Sequence, residues 1–521
     1  MEHPSIILWS GLPNRHNLIQ RYMGPYQLGH WLESHGYPYQ VIDFVWRSRT
    51  EYIPAERLVA ITKPYIGKRT RAIGFSSTFF GATHGNAIPS NVSEAIGLLR
   101  QQHPGLKFIL GGNNAENISP DVTKLFDAVV IGLAEDIMLE LMRWYDGAGP
   151  EPRYRRPIQH KTRFYYADDA EPGFDIRDSK HQWQDKDHIM PGEVLPLEIS
   201  RGCIFHCRFC QYPLLGRSKY DYTRNMEHIR QELIYNHQNW KTDSYFLLDD
   251  TFNDTPIKVR AFHDMVKSLP FRIQWTSYIR ADLLHRFPET IPLIRDAGCR
   301  GAFFGIESFG KQAALHVGKG WSASHAQEFL PHLIHDLWQD QVSTHISLIA
   351  GLPGDTPESL HATVDWLHAT DLHGWNFHPL WVMKHSETKT FSSTFAKEAE
   401  SHGYEFPNPD LPFQWVNQAS GWTRESAWKM AEELNARKDP EKHTLDIWNE
   451  ISLGTLGYDP AQTLHMPVTR IPELELWMRS NAWLHNYMRS LESGDNDHSP
   501  NQEFFERLRN MDGTKHMSYL R

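Results

Sequence analysis

Two series of short apolar runs, each alternating with amphipathic stretches, restrict this chain more than any other feature of its sequence. The first series comprises Ser5–Ser10, Tyr39–Val45, Arg71–Ser77, Lys107–Gly112 and Ala128–Gly132. Each is rich in Ile, Val or Phe, and the last three end on Gly or Ser. Between them lie helix-like stretches such as Asn91–Gln102, which puts Val92, Ala95, Ile96 and Leu99 on one face. Strands alternating with helices predict a parallel, doubly wound sheet. Ligands of such sheets bind at the carboxyl ends of the strands. The loops at those ends are Ser76–Asn86, Gly111–Asn117 and Gly132–Asp136.

The second series comprises Leu195–Ser200, Ser244–Asp249, Ile273–Ile279, Arg300–Ser308, Thr344–Gly351 and Trp375–Met383. Helical stretches separate them; in Met226–Asn236, Met226, Ile229, Leu233 and Ile234 share a face. Six βα units too apolar to alternate cleanly predict a partial parallel barrel. Residues 147–191 show little periodicity and read as a linker. After about Phe395 the pattern turns helical and rich in Trp and His, with amphipathic stretches at Glu425–Arg437 and Leu474–Leu491. The expected division is therefore 1–146, a Rossmann-like domain; 147–191, a linker; 192–390, a partial barrel; and 391–521, a mainly helical region that shapes the substrate site.

The chain has 521 residues, enough for about three domains at roughly 150 residues each. Hydrophobic residues make up 40% and charged residues 22%, which excludes a disordered chain. The formal net charge of −10 weighs against general nucleic-acid binding, which relies on Lys and Arg to neutralise phosphates. No apolar run approaches the ~20 residues that span a membrane. The first residues lack the basic and apolar regions of a signal peptide. A cytoplasmic protein is expected.

Only four cysteines occur, and three of them, Cys203, Cys207 and Cys210, fall within eight positions just after the first strand of the second series. A secreted disulfide framework would use more, spread along the chain. Clustered cysteines in an intracellular chain point to metal ligation or redox chemistry. Three thiolates at spacings of four and three can converge on one iron–sulfur cubane. They leave one iron without a protein ligand, where a small molecule can bind. The alternative is a structural zinc ion on the three Cys and His206. Cys299 precedes a strand and reads as buried and inert. His332 and His335 resemble a metal pair but lie on an apparently ordinary helix without a third ligand, so they read as surface or core residues.

Cys-x-x-x-Cys-x-aromatic-Cys at the end of a first barrel strand resembles the radical S-adenosylmethionine superfamily. Asp249-Asp-Thr-Phe252, Arg280, Gly305-Ile-Glu-Ser308 and Gly351-Leu-Pro-Gly-Asp355 follow in the family's order over about 190 residues. The resemblance implies a 4Fe-4S cluster on Cys203, Cys207 and Cys210, and S-adenosylmethionine bound near Phe209, Asp250, Arg280, Glu307 and Gly351. Glu307 would meet its ribose or amino-acid part, Arg280 its carboxylate and Asp250 its amine. The Asp249–Asp250 pair stands where many relatives have Gly-Gly-Glu; the alternative is that these carboxylates cap the next segment. No further catalytic residue is assigned.

The N-terminal domain resembles the cobalamin-binding domain of cobalamin-dependent radical enzymes. The matching stretches are Gly24–Gly36, Val41–Asp43, Ile73–Thr78, Leu110–Asn113 and Val130–Glu135. The resemblance places cobalamin against Ser76, Ser77, Thr78, Gly111, Gly112, Gly132 and Glu135. Glycines let backbone approach a large flat ring. The Asp-x-His-x-x-Gly motif that supplies a histidine to cobalt is absent, so cobalamin without a protein His ligand is expected; a degenerate domain that only packs on the barrel is the alternative. The implied reaction is generation of a 5′-deoxyadenosyl radical and cobalamin-dependent methyl transfer to an unactivated carbon of a small-molecule or nucleotide-type substrate, with an external one-electron reductant. A cobalamin-dependent cyclisation or rearrangement and a non-catalytic, redox-sensing cluster protein are the other readings.

The three-thiol loop generates the first prediction. Anaerobic reconstitution should give about four iron and four sulfide per chain. Replacing Cys203, Cys207 or Cys210 with Ala should abolish this, and Cys299→Ala should not. Loss in the Cys299 variant with retention in the Cys203 variant would reverse the assignment.

Overall fold

The computed structural model describes residues 3–10, 20–43, 53–76, 88–112, 115, 124–153, 162–166, 173–190, 192–211, 222–319, 321–385, 392–408, 411, 413–458 and 463–470. Strands β1 (Ile6–Ser10), β2 (Tyr39–Asp43), β3 (Ala72–Ser76), β4 (Lys107–Gly111) and β5 (Ala128–Ile131) form at the five predicted runs. They are buried on both faces, which is why they read as continuous apolar runs. Helix Ser90–Gln102 buries Val92, Ala95, Ile96 and Leu99 against them, as the spacing required.

The sheet is parallel, in the order β2-β1-β3-β4-β5-β6. Its sixth strand corrects the sequence reading. Strand β6 (Arg163–Tyr166) comes from the stretch expected to be a linker. It pairs in parallel with β5, Ala128 opposite Arg163 and Ile131 opposite Tyr166. Its residues, Arg-Phe-Tyr-Tyr, carry no Ile or Val, so the run was too short and too polar at one end to register. Trp183, from the same stretch, packs back onto the domain: it is fully buried, with its ring edge-on to Tyr26 at 4.6 Å.

Strands β7 (Leu195–Glu198), β8 (Ser244–Leu248), β9 (Gln274–Ile279), β10 (Cys299–Glu307), β11 (Ser343–Ala350) and β12 (Trp375–Pro379) make a second parallel sheet, in sequence order from β7 at one edge to β12 at the other. Consecutive order with a helix after each strand is the topology of a partial barrel. The covering helices start where side chains cap them. Asn225 accepts from Glu227, Thr255 from Lys258 and Thr356 from Ser359, the last two followed by Pro at the first helical position. Cys299 opens β10 and is buried.

The C-terminal region closes this barrel twice. Helix Arg424–Ala436 lies along the open edge of β12. There the Phe377 N–H donates to Asn435 Oδ1 at 3.0 Å, and Asn435 Nδ2 donates to the Phe377 carbonyl at 2.8 Å. An unpaired strand edge is thereby satisfied by one amide. Helix Ile447–Thr455 fills the barrel's interior side, where Ile447 and Ile451 pack on Val194 and Phe246. Trp448 meets the rings of Phe246 at 5.0 Å and Tyr278 at 5.8 Å. The region is not purely helical, since Tyr404–Glu405 and Val416–Asn417 pair antiparallel. The predicted helix Leu474–Leu491 lies outside the described residues, and no described helix is long and apolar enough to cross a membrane.

His332 and His335 belong to a π-helical turn, His332–Leu337, and not to an ordinary α-helix. Their ring nitrogens face Asp336 at 2.7 Å and Asp340 at 2.9 Å on the outside of the fold. They are surface pairs.

A buried cation ties the two halves together. Arg21 is fully buried, and its guanidinium meets both carboxylate oxygens of Glu193, at 2.5 and 3.1 Å, just ahead of β7. It also donates to the carbonyls of Asp187 and His188 and to the Tyr26 hydroxyl. Glu193→Ala would strand that charge. A loss of about 3–5 kcal/mol in urea unfolding is expected; a loss under about 1 kcal/mol would show the bridge to be dispensable.

Candidate active site

The carboxyl ends of the two sheets line one cavity of about 370 Å³. Trp9, Ser76, Gly111, Gly112 and Gly132 come from the N-terminal sheet; Arg201, Gly202, Asp250 and Tyr278 come from the barrel. The glycine wall is open by construction. A Cβ on Gly111 would find only the Val130 carbonyl, at 3.8 Å, so any side chain there would project into the space. Gly112 and Gly132, with φ of 104° and 92°, turn the chain left-handed at the strand ends, which glycine does without steric cost. Ser77 and Thr78, expected beside Ser76, lie outside the described residues.

Glu135 lines the same cavity, yet its carboxylate is committed elsewhere. It pairs with Arg201 at 2.5 Å, and Arg201 also pairs with Glu198 at 2.6 Å. Burial alone would lower the Arg201 pKa, but the two carboxylates raise it. The guanidinium lies 4.9 Å over the Phe174 ring. Glu135, placed beside cobalamin by the sequence resemblance, lines the cavity and also bridges the two halves. Arg201 was not singled out in the sequence; its place two residues before Cys203 was the available signal.

The cysteine loop follows β7. Cys203, Cys207 and Cys210 are all partly exposed, and Cys210 N–H closes a turn on the Cys207 carbonyl at 3.0 Å. Among the described residues no three His, Cys, Asp or Glu side chains are grouped to hold one metal ion. Thiolates that each meet a different iron of a cubane need no such common point. His206 is exposed. The loop is held from three sides. The Thr251 hydroxyl lies 3.3 Å from Cys203 Sγ. Arg280 lies 4.0 Å over the Phe205 ring and points Nη1 at Cys207 Sγ, 3.8 Å away. Arg208, the residue after Cys207, donates its backbone N–H to the Val317 carbonyl.

Arg280 was expected to bind a ligand carboxylate, and the structure pairs it with Asp282 at 2.6 Å. Asn253 clamps its backbone through both N–H and C=O. The aspartate pair divides. Asp249 is buried, accepts from Thr251 N–H at 3.0 Å and pairs with Lys258 at 2.8 Å, while Thr255 caps the helix that follows. Asp250 instead opens into the cavity. The surrounding walls, then the neighbouring Asp249, push its carboxyl up to about 6.

Glu307 ends β10 in the left-handed region, at φ 70°, which is costly for a non-glycine residue and marks functional sites more often than others. Its carboxylate folds back over Gly305, where a Cβ would come within 2.6 Å of Oε1, and pairs with Lys319 at 2.7 Å. Burial alone would lower the Lys319 pKa, but Glu307 and Cys207 raise it. Phe209 packs at the rim of the main core. At Gly351, also left-handed at φ 96°, a Cβ would strike Ala427 at 2.6 Å, so this glycine admits the C-terminal helix.

Residues 197–367 match the family model described as Radical SAM superfamily. The chain is 25% identical over 180 residues to an uncharacterized methyltransferase, PH0819, of Pyrococcus horikoshii, covering 33% of this chain and 36% of the relative. It is 21% identical over 178 residues to bacteriochlorophyllide d C-12(1)-methyltransferase of Chlorobaculum tepidum, covering 34% and 37%. The matched segment thus spans little more than a third of these relatives' lengths. Two solved structures share the fold over nearly the whole chain. The radical S-adenosylmethionine methyltransferase TsrM of Kitasatospora setae, with cobalamin and a [4Fe-4S] cluster bound, aligns with a TM-score of 0.61 at 16% identity, covering 95% of this chain and 100% of that one. The cobalamin-dependent S-adenosylmethionine radical enzyme OxsB aligns with a TM-score of 0.54 at 14% identity, covering 98% and 76%.

Arg201→Leu would leave Glu135 and Glu198 without their cation. A stability loss of about 3–5 kcal/mol is expected, smaller when Glu135→Gln is combined with it. Equal losses in the single and double variants would mean the two residues are not coupled.

Proposed function

We propose that this chain is a radical S-adenosylmethionine enzyme that transfers a methyl group, by way of cobalamin, to an unactivated carbon of a small molecule. The observation that carries the reading is the shared cavity: a glycine wall from one sheet faces Asp250, Arg201 and Gly202 on the other, the last two leading directly into the loop of Cys203, Cys207 and Cys210. The donor set suits a cluster, and the space that a Cβ at Gly111 would fill suits a flat ring. When bound, the cluster supplies the electron that cleaves S-adenosylmethionine, and cobalamin supplies the methyl carrier.

The chain's own residues then have distinct tasks. Cys203, Cys207 and Cys210 hold the cluster. Thr251 and Arg280 set polar and positive groups against two of the sulfurs, and such contacts tune cluster potentials. Asp250, ionised at neutral pH, receives the methionyl ammonium of S-adenosylmethionine. Glu307, held by Lys319, orients the ribose or amino-acid part beside Phe209 and Gly351. Ser76, Gly111, Gly112 and Gly132 seat cobalamin, and Trp9 and Tyr278 help keep water from the space between. An external one-electron reductant is required.

The test is anaerobic reconstitution with hydroxocobalamin, a reductant and S-adenosylmethionine. Production of 5′-deoxyadenosine together with S-adenosylhomocysteine supports the reading; neither product would overturn it. Gly111→Phe should keep iron at the wild-type level and lose bound cobalamin, because the new side chain enters the cavity without a backbone clash. Unchanged cobalamin in that variant would contradict the assigned seat.

A further inference from the structure

Helix Arg424–Ala436 carries a cation without an ion-pair partner among the described residues. The Arg424 guanidinium carbon lies 4.7 Å from the Phe413 ring centre, 5.4 Å from Trp381 and 5.7 Å from Trp428. Trp381 and Phe413 are near parallel, 13° apart. Among the described residues no carboxylate pairs with this guanidinium, and its Nε is buried without a hydrogen-bond partner. Burial among the rings lowers its pKa. A desolvated cation with an orphaned donor is costly.

Its position gives that cost a use. Glu433 and Arg437 of the same helix face the outer layer, toward His361 and Asp365. By helical spacing Arg424 and Trp428, four residues apart, fall on the side away from that layer. Ala427, one turn along, packs on Gly351 at the end of β11, and Trp422 donates to the Asp355 carbonyl just beyond it. Arg424 therefore stands at the carboxyl-end mouth of the barrel, across the sheet from the cysteine loop on the β7 side.

The rings surround the guanidinium without accepting its hydrogen bonds, and the unpartnered Nε is a donor that an oxygen acid can use. A planar fork of donors matches a carboxylate through two parallel hydrogen bonds. Among the described residues this cation has no second cation beside it, and one positive charge balances one negative charge, which favours a carboxylate over a phosphate dianion. We propose that Arg424 is a specificity-determining residue that binds a carboxylate of the substrate, and that this carboxylate adjoins an aromatic or otherwise flat apolar group resting on Trp381, Phe413 or Trp428. This rests on the reading that the barrel mouth receives the substrate of a radical enzyme.

The experiment is calorimetric titration of the reconstituted full chain with benzoate, phenylacetate and 3-indolepropionate, each against its primary amide, and with inorganic phosphate. At least one acid should bind about tenfold or more tightly than its amide, the worth of hydrogen bonds to a charged group. Phosphate should bind more weakly than that acid. Arg424→Gln should erase the preference for acid over amide, and Arg424→Lys should keep only part of it. No acid preference in the wild type, an intact preference in the Gln variant, or tighter phosphate binding would each overturn the proposal. Should the Gln variant fail to fold, the wild-type acid–amide comparison and the Lys variant still decide. The titration needs no turnover, so acid preference without 5′-deoxyadenosine formation would count against the proposed reaction and not against this site.

Discussion

Arg201 makes the one contact on which the arrangement of this protein depends. It stands between the two domains, two residues before the first cysteine of the loop, and holds Glu135, at the start of the helix that follows β5, and Glu198, at the end of β7. Buried ion pairs add little net stability over apolar packing, and their value lies in fixing geometry. Here the geometry is the facing of two carboxyl-end surfaces. Doubly wound sheets and barrels both bind ligands at that end. Facing them across one cavity makes a site that neither domain has alone. Arg21, just ahead of helix Met23–Ser34, adds a second buried link between the halves and is satisfied by Glu193, two carbonyls and a hydroxyl.

The cysteine loop is similarly over-determined. Thr251, Arg280 and the backbone partner of Arg208 reach it from three different elements. Arg280 is itself held by Asp282 and Asn253. A ligand loop supported in this way keeps its sulfurs oriented whether or not a neighbouring site is filled. Glu307 adds a strained backbone at the end of β10, maintained by its bond to Lys319.

Much of this was legible in the sequence, for physical reasons that also explain what was not. Strands buried on both faces write themselves as Ile/Val/Phe runs, so eleven strands stood out. Strand β6 did not, because its four residues draw burial from tyrosines and begin with an arginine. The three cysteines were conspicuous because cluster ligands must come from one short loop. Their supports were not, since Thr251 and Arg280 are distant in sequence and common in type. Glu135 and Arg280 were assigned to ligands from motif position, while the fold pairs them with Arg201 and Asp282. Gly351 was placed near S-adenosylmethionine by resemblance, and its packing against Ala427 involves a helix whose docking no local pattern encodes.

The central claim is that one cavity brings a corrin and the cluster together without a histidine on cobalt, as the missing Asp-x-His-x-x-Gly motif implies. The most direct measurement is electron paramagnetic resonance of the cobalamin-loaded, cluster-reconstituted chain in its cob(II) state, before and after reduction of the cluster. The account predicts a cob(II) signal without nitrogen superhyperfine splitting that broadens when the cluster becomes paramagnetic. A nitrogen-split signal, or one indifferent to the state of the cluster, would contradict it.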